Sequence, residues 1–421
     1  MSRYLTSIIE QALWSALNLG VALLLAKLAV PAQFGAFVFW ASTAYVLSSV
    51  QNALTLCHLQ VLPAAPGTDP ARIGVERVML AVTLAFLAVS AAGALAVSLV
   101  LARFAPVLSV PAAGLFVPAF LLQQYVRYLN FTRGDARASA VQTGVVLGLA
   151  AAFLGVGQLV FRPLDANEIL ALLGAAYGLV GLVGLVRASR GLGRVGARQL
   201  GDYGRYLKQS GWIFLGVSSS ELLSRFYVFA VGGALGAAVL AMLSFSNTFL
   251  RPISLLATSW SLVGRNDLVR RRDAGDFAGY RRMLVMVGLG GVAAAAVWTL
   301  VVFEAWPLIT THLFDGRYGE ARMILLLWGA AAAIGFGQTV LSTGLQTLHA
   351  FKTLAFCNAA AAVFAVVAIL VAMGPLGPAG AVIGAALGQG LELIAMAWLL
   401  GATLRKSAAG ASGPGSPPPA G

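Results

Sequence analysis

The chain has 421 residues, enough on length alone for two or three soluble domains. Its composition excludes them: hydrophobic residues make up 59% and charged residues 10%, against about 25% charged in an ordinary soluble domain. With a mean hydropathy of +0.86 and a net charge of +13, the chain reads as a polytopic membrane protein rather than a soluble enzyme or a nucleic-acid binder, its basic excess being first a matter of topology.

A spanning helix needs about 20 mostly apolar residues. Twelve such runs follow one another, near 6–29, 35–61, 78–102, 112–130, 139–160, 167–186, 207–232, 238–261, 283–303, 322–346, 354–373 and 378–402. Pro31, the stretch from Pro63 to Pro70, Pro106 with Pro111, Arg162-Pro163 and Gly374-Pro375 punctuate the breaks. The runs are rich in Ala and Leu and too long for barrel strands, so the predicted fold class is all-α. The first run is too long for a cleavable signal peptide and lacks a small-residue cleavage site, so it reads as the first span. Trp212, Trp260 and Trp398 fall near inner helix ends and Trp40 near an outer one, where amphipathic rings favour the interface. Cys57 and Cys357 read as small apolar residues inside spans, and His58, His312 and His349 are scattered without metal-ligand spacing. No metal or other cofactor is expected.

With the N-terminus in the cytoplasm, 21 of the 28 basic residues fall on the inner side and five on the outer (Lys27, Arg103, Arg162, Arg317 and Arg322); Arg225 and Arg251 fall inside spans. The positive-inside rule predicts such a split for an even number of spans with both ends inside. The longest inner loop, 187–206, divides the chain into an N-terminal six-helix lobe (1–186) and a C-terminal one (207–404). Residues 405–421, rich in Ser, Gly, Pro and Ala, are expected to be a disordered cytoplasmic tail. Weak parallel repeats relate the halves: Leu28 to Gly35 with Ala234 to Ala241 at outer turns, and Ala136-Arg137 with Phe351-Lys352 at inner turns.

Polar residues inside spans carry the functional signal, because each costs free energy unless it faces protein or water. Span 8 places Asn247, Arg251, Ser254, Thr258 and Ser261 on one helical face, and Pro252 is positioned to bend it. Arg251 either faces a polar lumen or pairs with an acid that pins the lobes. Glu221 and Arg225 in span 7 are four apart, as a structural pair or as a substrate or proton site. Milder stripes are Gln11, Ser15 and Asn18 in span 1, Ser48, Asn52 and Thr55 in span 2, and Gln338, Ser342 and Gln346 in span 10. Glu10 and Lys27 lie near span ends and are expected to snorkel. Glu392 in span 12 reads as isolated, either capping a lobe interior or titrating.

The segment Leu23-Leu24-Leu25-Ala26-Lys27-Leu28-Ala29-Val30-Pro31-Ala32-Gln33-Phe34-Gly35 resembles the first-helix signature of the polysaccharide and O-antigen lipid-carrier flippases. Those belong to the multidrug/oligosaccharidyl-lipid/polysaccharide exporter superfamily. In that signature a Gly stands where this chain has Val30, and two acids stand where it has Ala32-Gln33. Ser224-Arg225-Phe226-Tyr227-Val228 resembles the seventh helix, with Ser224 in place of the usual Asp. Phe314-Asp315-Gly316-Arg317-Tyr318 resembles the outer loop before the tenth helix, and Gly344-Leu345-Gln346 to Lys352 the end of that helix. The resemblance implies twelve transmembrane helices in two six-helix lobes around a central cavity lined by helices 1, 2, 7 and 8, working by alternating access. It implies an undecaprenyl-diphosphate-linked oligosaccharide as cargo, with membrane lipids, a polysaccharide polymerase and other export proteins as partners.

The predicted function is therefore a lipid-linked oligosaccharide flippase of the bacterial inner membrane, multi-pass with both termini cytoplasmic and without enzymatic or nucleic-acid-binding activity. Its cavity residues would be Arg251, Arg225, Glu221, Asn247, Asn18, Asn52, Gln11, Gln338 and Gln346. The alternative is a cation-coupled multidrug or metabolite exporter of the same superfamily, which requires titrating acids in the cavity. A membrane-embedded glycosyltransferase would need larger outer loops than the one from Glu304 to Glu320, and a structural export subunit would need no charge at the midplane.

Overall fold

The computed structural model describes residues 3–62, 69–161, 163–193 and 195–411, and no strand occurs among them. The first six predicted spans become α1 (Arg3–Leu28), α2 (Pro31–Gln51) continuing into α3 (Cys57–Gln60), α4 (Pro70–Phe104), α5 (Ala113–Thr132), α6 (Ala136–Val160) and α7 (Ala166–Ala188). A π-helical turn, Asn52–Leu56, joins α2 to α3. A short α8 (Ala197–Asp202) occupies the predicted linker, followed by α9 (Gly204–Ala234), α10 (Ala237–Thr248) and α11 (Arg251–Asp273). The chain ends in α12 (Phe277–Phe314), α13 (Arg322–Thr347) and α14 (Phe351–Ala411). Residues 412–421 of the predicted tail lie outside the described residues.

Eight of these helices are long and apolar enough to cross a membrane, and α10 with α11 forms a ninth span bent by 50°. Counting α14 as two spans, and adding α2 with α3 and then α5, gives the twelve spans of the sequence reading. The chain is an all-α, multi-pass membrane protein. Several helices outrun the hydropathy signal: α4 has 35 residues and α12 has 38, about 52 and 57 Å long, against a hydrocarbon core of about 30 Å. Hydropathy marks only the apolar stretch, whereas the helix continues until a cap ends it. Asp135, Asp165 and Asp276 supply such caps at the starts of α6, α7 and α12, each side chain accepting from a backbone N–H three residues on.

Span 8 is broken rather than continuous. Pro252 has no N–H to give the Thr248 carbonyl and its ring would collide with it, so α10 stops at Thr248 and α11 restarts at Arg251. In α14 the break is a reversal. Gly377 has φ 55° and ψ −132°, and the two arms pack against each other. A Cβ at Gly384 would sit 2.5 Å from the Ile369 backbone and one at Gly388 2.3 Å from the Ala365 side chain, so small residues set this contact.

The chain divides into two compact units. The first comprises the described residues of Met1–Glu221 and Val228–Phe245, the second those of Leu222–Tyr227 and Ser246–Gly421. In the first, Leu56, Leu59, Met79, Tyr125 and Leu129 belong to one buried cluster. The start of α2 also meets the start of α10 there, where a Cβ on Gly35 would overlap the Ala237 carbonyl. In the second, Leu223 packs on Ala362 and Ala365. The turns after α5 and α13 are built alike. Gly134 (φ 78°) after α5 and His349 (φ 58°) after α13 both take the left-handed conformation. Asp135 then bonds back to the Asn130 carbonyl and Ala350 to that of Leu345, the same helix-ending motif two residues before Arg137 and before Lys352.

Candidate functional site

In the second unit, polar and cationic groups gather around one buried phenol. Tyr227 of α9 hydrogen-bonds the Asn247 side chain, and both Arg225 and Arg251 lie within electrostatic reach of it. The Trp328 ring of α13 meets Tyr227 edge-on, centroids 4.9 Å apart. Arg251 is exposed and opens α11, so its guanidinium adds to the positive end of that helix's dipole. A helix start with a cation on it favours negative charge beside it. The predicted stripe below Arg251 does not join the cluster. Ser254 and Thr258 hydroxyls donate to the carbonyls of Arg251 and Ser254, both at 2.8 Å, and Ser261 pairs with Thr343 at 2.8 Å.

Gln338 and Gln346 lie elsewhere in the same unit. The Gln338 amide donates to Glu392 at 2.5 Å and to the Gln389 carbonyl at 3.0 Å. With its amide turned to donate, Asn358 lies 2.7 Å from the other Glu392 oxygen. Glu392, isolated in sequence, is thus held by amides from α13 and from the other arm of α14. Gln346 accepts from Arg265 at 2.9 Å and donates to Ser342 at 3.1 Å.

In the first unit the predicted residues sit on separate contacts. Asn18 donates to the Trp14 carbonyl at 2.9 Å and accepts from the Tyr45 hydroxyl. Asn52 lies in the π turn and accepts from Gln60 at 3.2 Å. Gln11 is exposed and accepts from Arg127 at 3.4 Å. Glu221 accepts from Ser49 at 2.6 Å, so α2 meets α9 one residue away from the Ser48 stripe read in the sequence.

Two sequence expectations are corrected here, and a third residue gains a partner. Glu10 does not snorkel: it is buried and holds Arg127 of α5 through two bonds, 2.5 and 2.9 Å, with Thr143 of α6 donating at 2.9 Å. Trp40 does not float at the interface, because its ring is buried and its N–H donates to the Leu108 carbonyl at 2.9 Å. His58 is buried, with its ring nitrogen 2.7 Å from Ser210 Oγ. On the linker side Tyr203 donates to the Leu54 carbonyl at 2.8 Å, inside the π turn. Local spacing carries no signal for these three pairs, whose partners stand 68 to 152 positions apart.

No family model matches the chain, and no curated protein matches it. Solved structures do. The chain is similar to the lipid II flippase MurJ in an inward closed conformation, with a TM-score of 0.72 at 13% identity, covering 96% of this chain and 90% of that one. It is similar to a multidrug resistance MATE family transporter of the MOP superfamily in an inward-facing conformation, with a TM-score of 0.66 at 14% identity, covering 95% and 99%. It also matches the MATE transporter VcmN of Vibrio cholerae, crystallised as a point mutant, with a TM-score of 0.55 at 15% identity, covering 97% and 96%. The chain has the fold of these transporters. The match runs nearly end to end in both directions.

Proposed function

We propose that this protein is a transporter that moves an undecaprenyl-diphosphate-linked oligosaccharide across the bacterial inner membrane by alternating access, for cell-surface polysaccharide synthesis. The observation that carries this reading is that two guanidiniums, Arg225 and Arg251, both lie within electrostatic reach of the Tyr227 phenol, which hydrogen-bonds Asn247, with Arg251 opening α11. A diphosphate cannot enter a low-dielectric core bare, and charge-assisted bonds to arginine offset the lost hydration. Tyr227, Asn247 and Trp328 add the hydroxyl, amide and aromatic surface that sugars bind. The shared fold supports a transporter, and one of the similar structures is itself a lipid flippase.

A second reading, an exporter coupled to a cation, is favoured by Glu392, a buried carboxylate held by amides. Reconstituted vesicles decide between them. Arg251→Ala should abolish flipping of a diphosphate-linked oligosaccharide and Arg251→Lys should retain part of it. Unchanged flux in both variants refutes the proposed role. Export of an organic cation that stops with Glu392→Gln, but not with Arg251→Ala, establishes the second reading instead.

A further inference from the structure

A groove of about 1120 Å³ lies on the first unit between α6 and α7, floored by α5 at Val126 and Asn130. Its walls are apolar: Val141, Val145 and Leu149 succeed one another at four-residue steps on α6, facing Leu179 and Val183 on α7. All but Leu149 are among the exposed large hydrophobic residues. The mouth is basic. Arg137 sits in the first turn of α6 and Arg187 in the last turn of α7, both exposed, with Arg133 beside them. Arg133 is committed to Glu76 at 2.5 Å and to the Ala188 carbonyl at 2.9 Å. The acid at the mouth, Asp135, is committed to capping α6 at the Ala138 N–H. Among the described residues neither Arg137 nor Arg187 forms an ion pair. Asn130 and Gln142, bonded to each other at 3.3 Å, provide polar groups just inside.

We infer that this groove binds an anionic glycerophospholipid of the leaflet at the basic end of the bundle. Charge complementarity selects the headgroup: two arginines with no acidic partner flank a concave entrance where a phosphate would sit. The apolar wall selects the tail. From Val141 to Leu149 it rises about 12 Å, close to the roughly 15 Å that one leaflet contributes to the hydrocarbon core. That length suits chains ending at the midplane rather than a long polyprenyl chain. The lipid would wedge the ends of α5, α6 and α7 on the side where Glu76 gathers Arg72 and Arg133, and so reinforce that end of the unit.

Native mass spectrometry of the full chain in detergent tests this, with phosphatidylglycerol, phosphatidylcholine and undecaprenyl phosphate as probes. The wild type should retain phosphatidylglycerol over phosphatidylcholine by about 25-fold, roughly a factor of five for each arginine. Arg137→Gln with Arg187→Gln should remove that preference. Val145→Trp should expel both phospholipids by filling the groove while the arginines stay. Helical content and detergent melting check that each variant folds. Should a variant misfold, the wild type's preference should still fall steeply as salt rises. No preference in the wild type, an unaltered preference in the double arginine variant, or displacement of phosphatidylglycerol by an equal amount of undecaprenyl phosphate each overturns the inference.

Discussion

The Glu10–Arg127 pair offers the sharpest test of how the first unit is held together. Both side chains are almost fully buried, 1% and 4% exposed. Arg127 gives two bonds to Glu10 and one at 3.3 Å to Gln124, and its guanidinium lies 4.7 Å from the Trp14 ring centre. Breaking a buried pair by removing one partner costs about 3–5 kcal/mol, because the other charge is left uncompensated, whereas replacing both with apolar residues of similar volume is close to neutral. Glu10→Gln keeps one acceptor and Trp14 still screens the cation, so a loss of about 3 kcal/mol is expected. Arg127→Met leaves Glu10 with Thr143 alone and should lose about 4 kcal/mol. The double variant Glu10→Met with Arg127→Met should lose less than either single change. Unfolding midpoints from sodium dodecyl sulfate titration of the purified protein measure all three. If the losses add to within about 0.5 kcal/mol, the two residues are not coupled and the pair is not the brace proposed.

Three further outcomes follow from particular positions. Gly384→Ala should destabilise by about 1–3 kcal/mol in the same titration, because the new Cβ meets Ile369 backbone that cannot move aside; wild-type stability would mean the arms of α14 are not in close contact. Gly134→Ala should cost about 1–2 kcal/mol and Gly134→Asn less, since only the former forces a disfavoured left-handed turn; equal losses would point away from backbone conformation. The Tyr318 phenol in the turn after α12 is pushed up to about 12 by burial. A raised folded-state value means that it contributes stability fully below pH 10, lost as pH climbs through 12. Tyr318→Phe should therefore flatten the alkaline limb of stability between those values, and an unchanged limb would refute the assignment.

Hydropathy reads the solvent that surrounds a helix, which is why the spans were legible and their contacts were not. α5 illustrates the difference: Gln123, Gln124 and Arg127 weaken its apolar signal, yet all three are buried, and the acid that pairs with Arg127 comes from α1, 117 positions away. Pro252 was legible as a bend because a missing N–H acts locally. Its consequence was not, since the break puts Asn247 on α10 and the rest of the stripe, Arg251 to Ser261, on α11, where the lower hydroxyls bond their own backbone and α13. Tyr227 carried no polar signal of its own, being one more aromatic beside Phe226 in an apolar run. Its significance arises only when α9 and the bent α10–α11 meet. The same distinction orders the charges. Arg72 and Arg133 would count as inner-loop cations in any topological tally, but both are drawn onto the buried Glu76. Arg137 and Arg187 enter the same tally and stay exposed at a groove mouth. A count of basic residues therefore cannot separate those that orient the chain from those that brace it or meet a ligand. That separation depends on which arginines the fold provides with an acid.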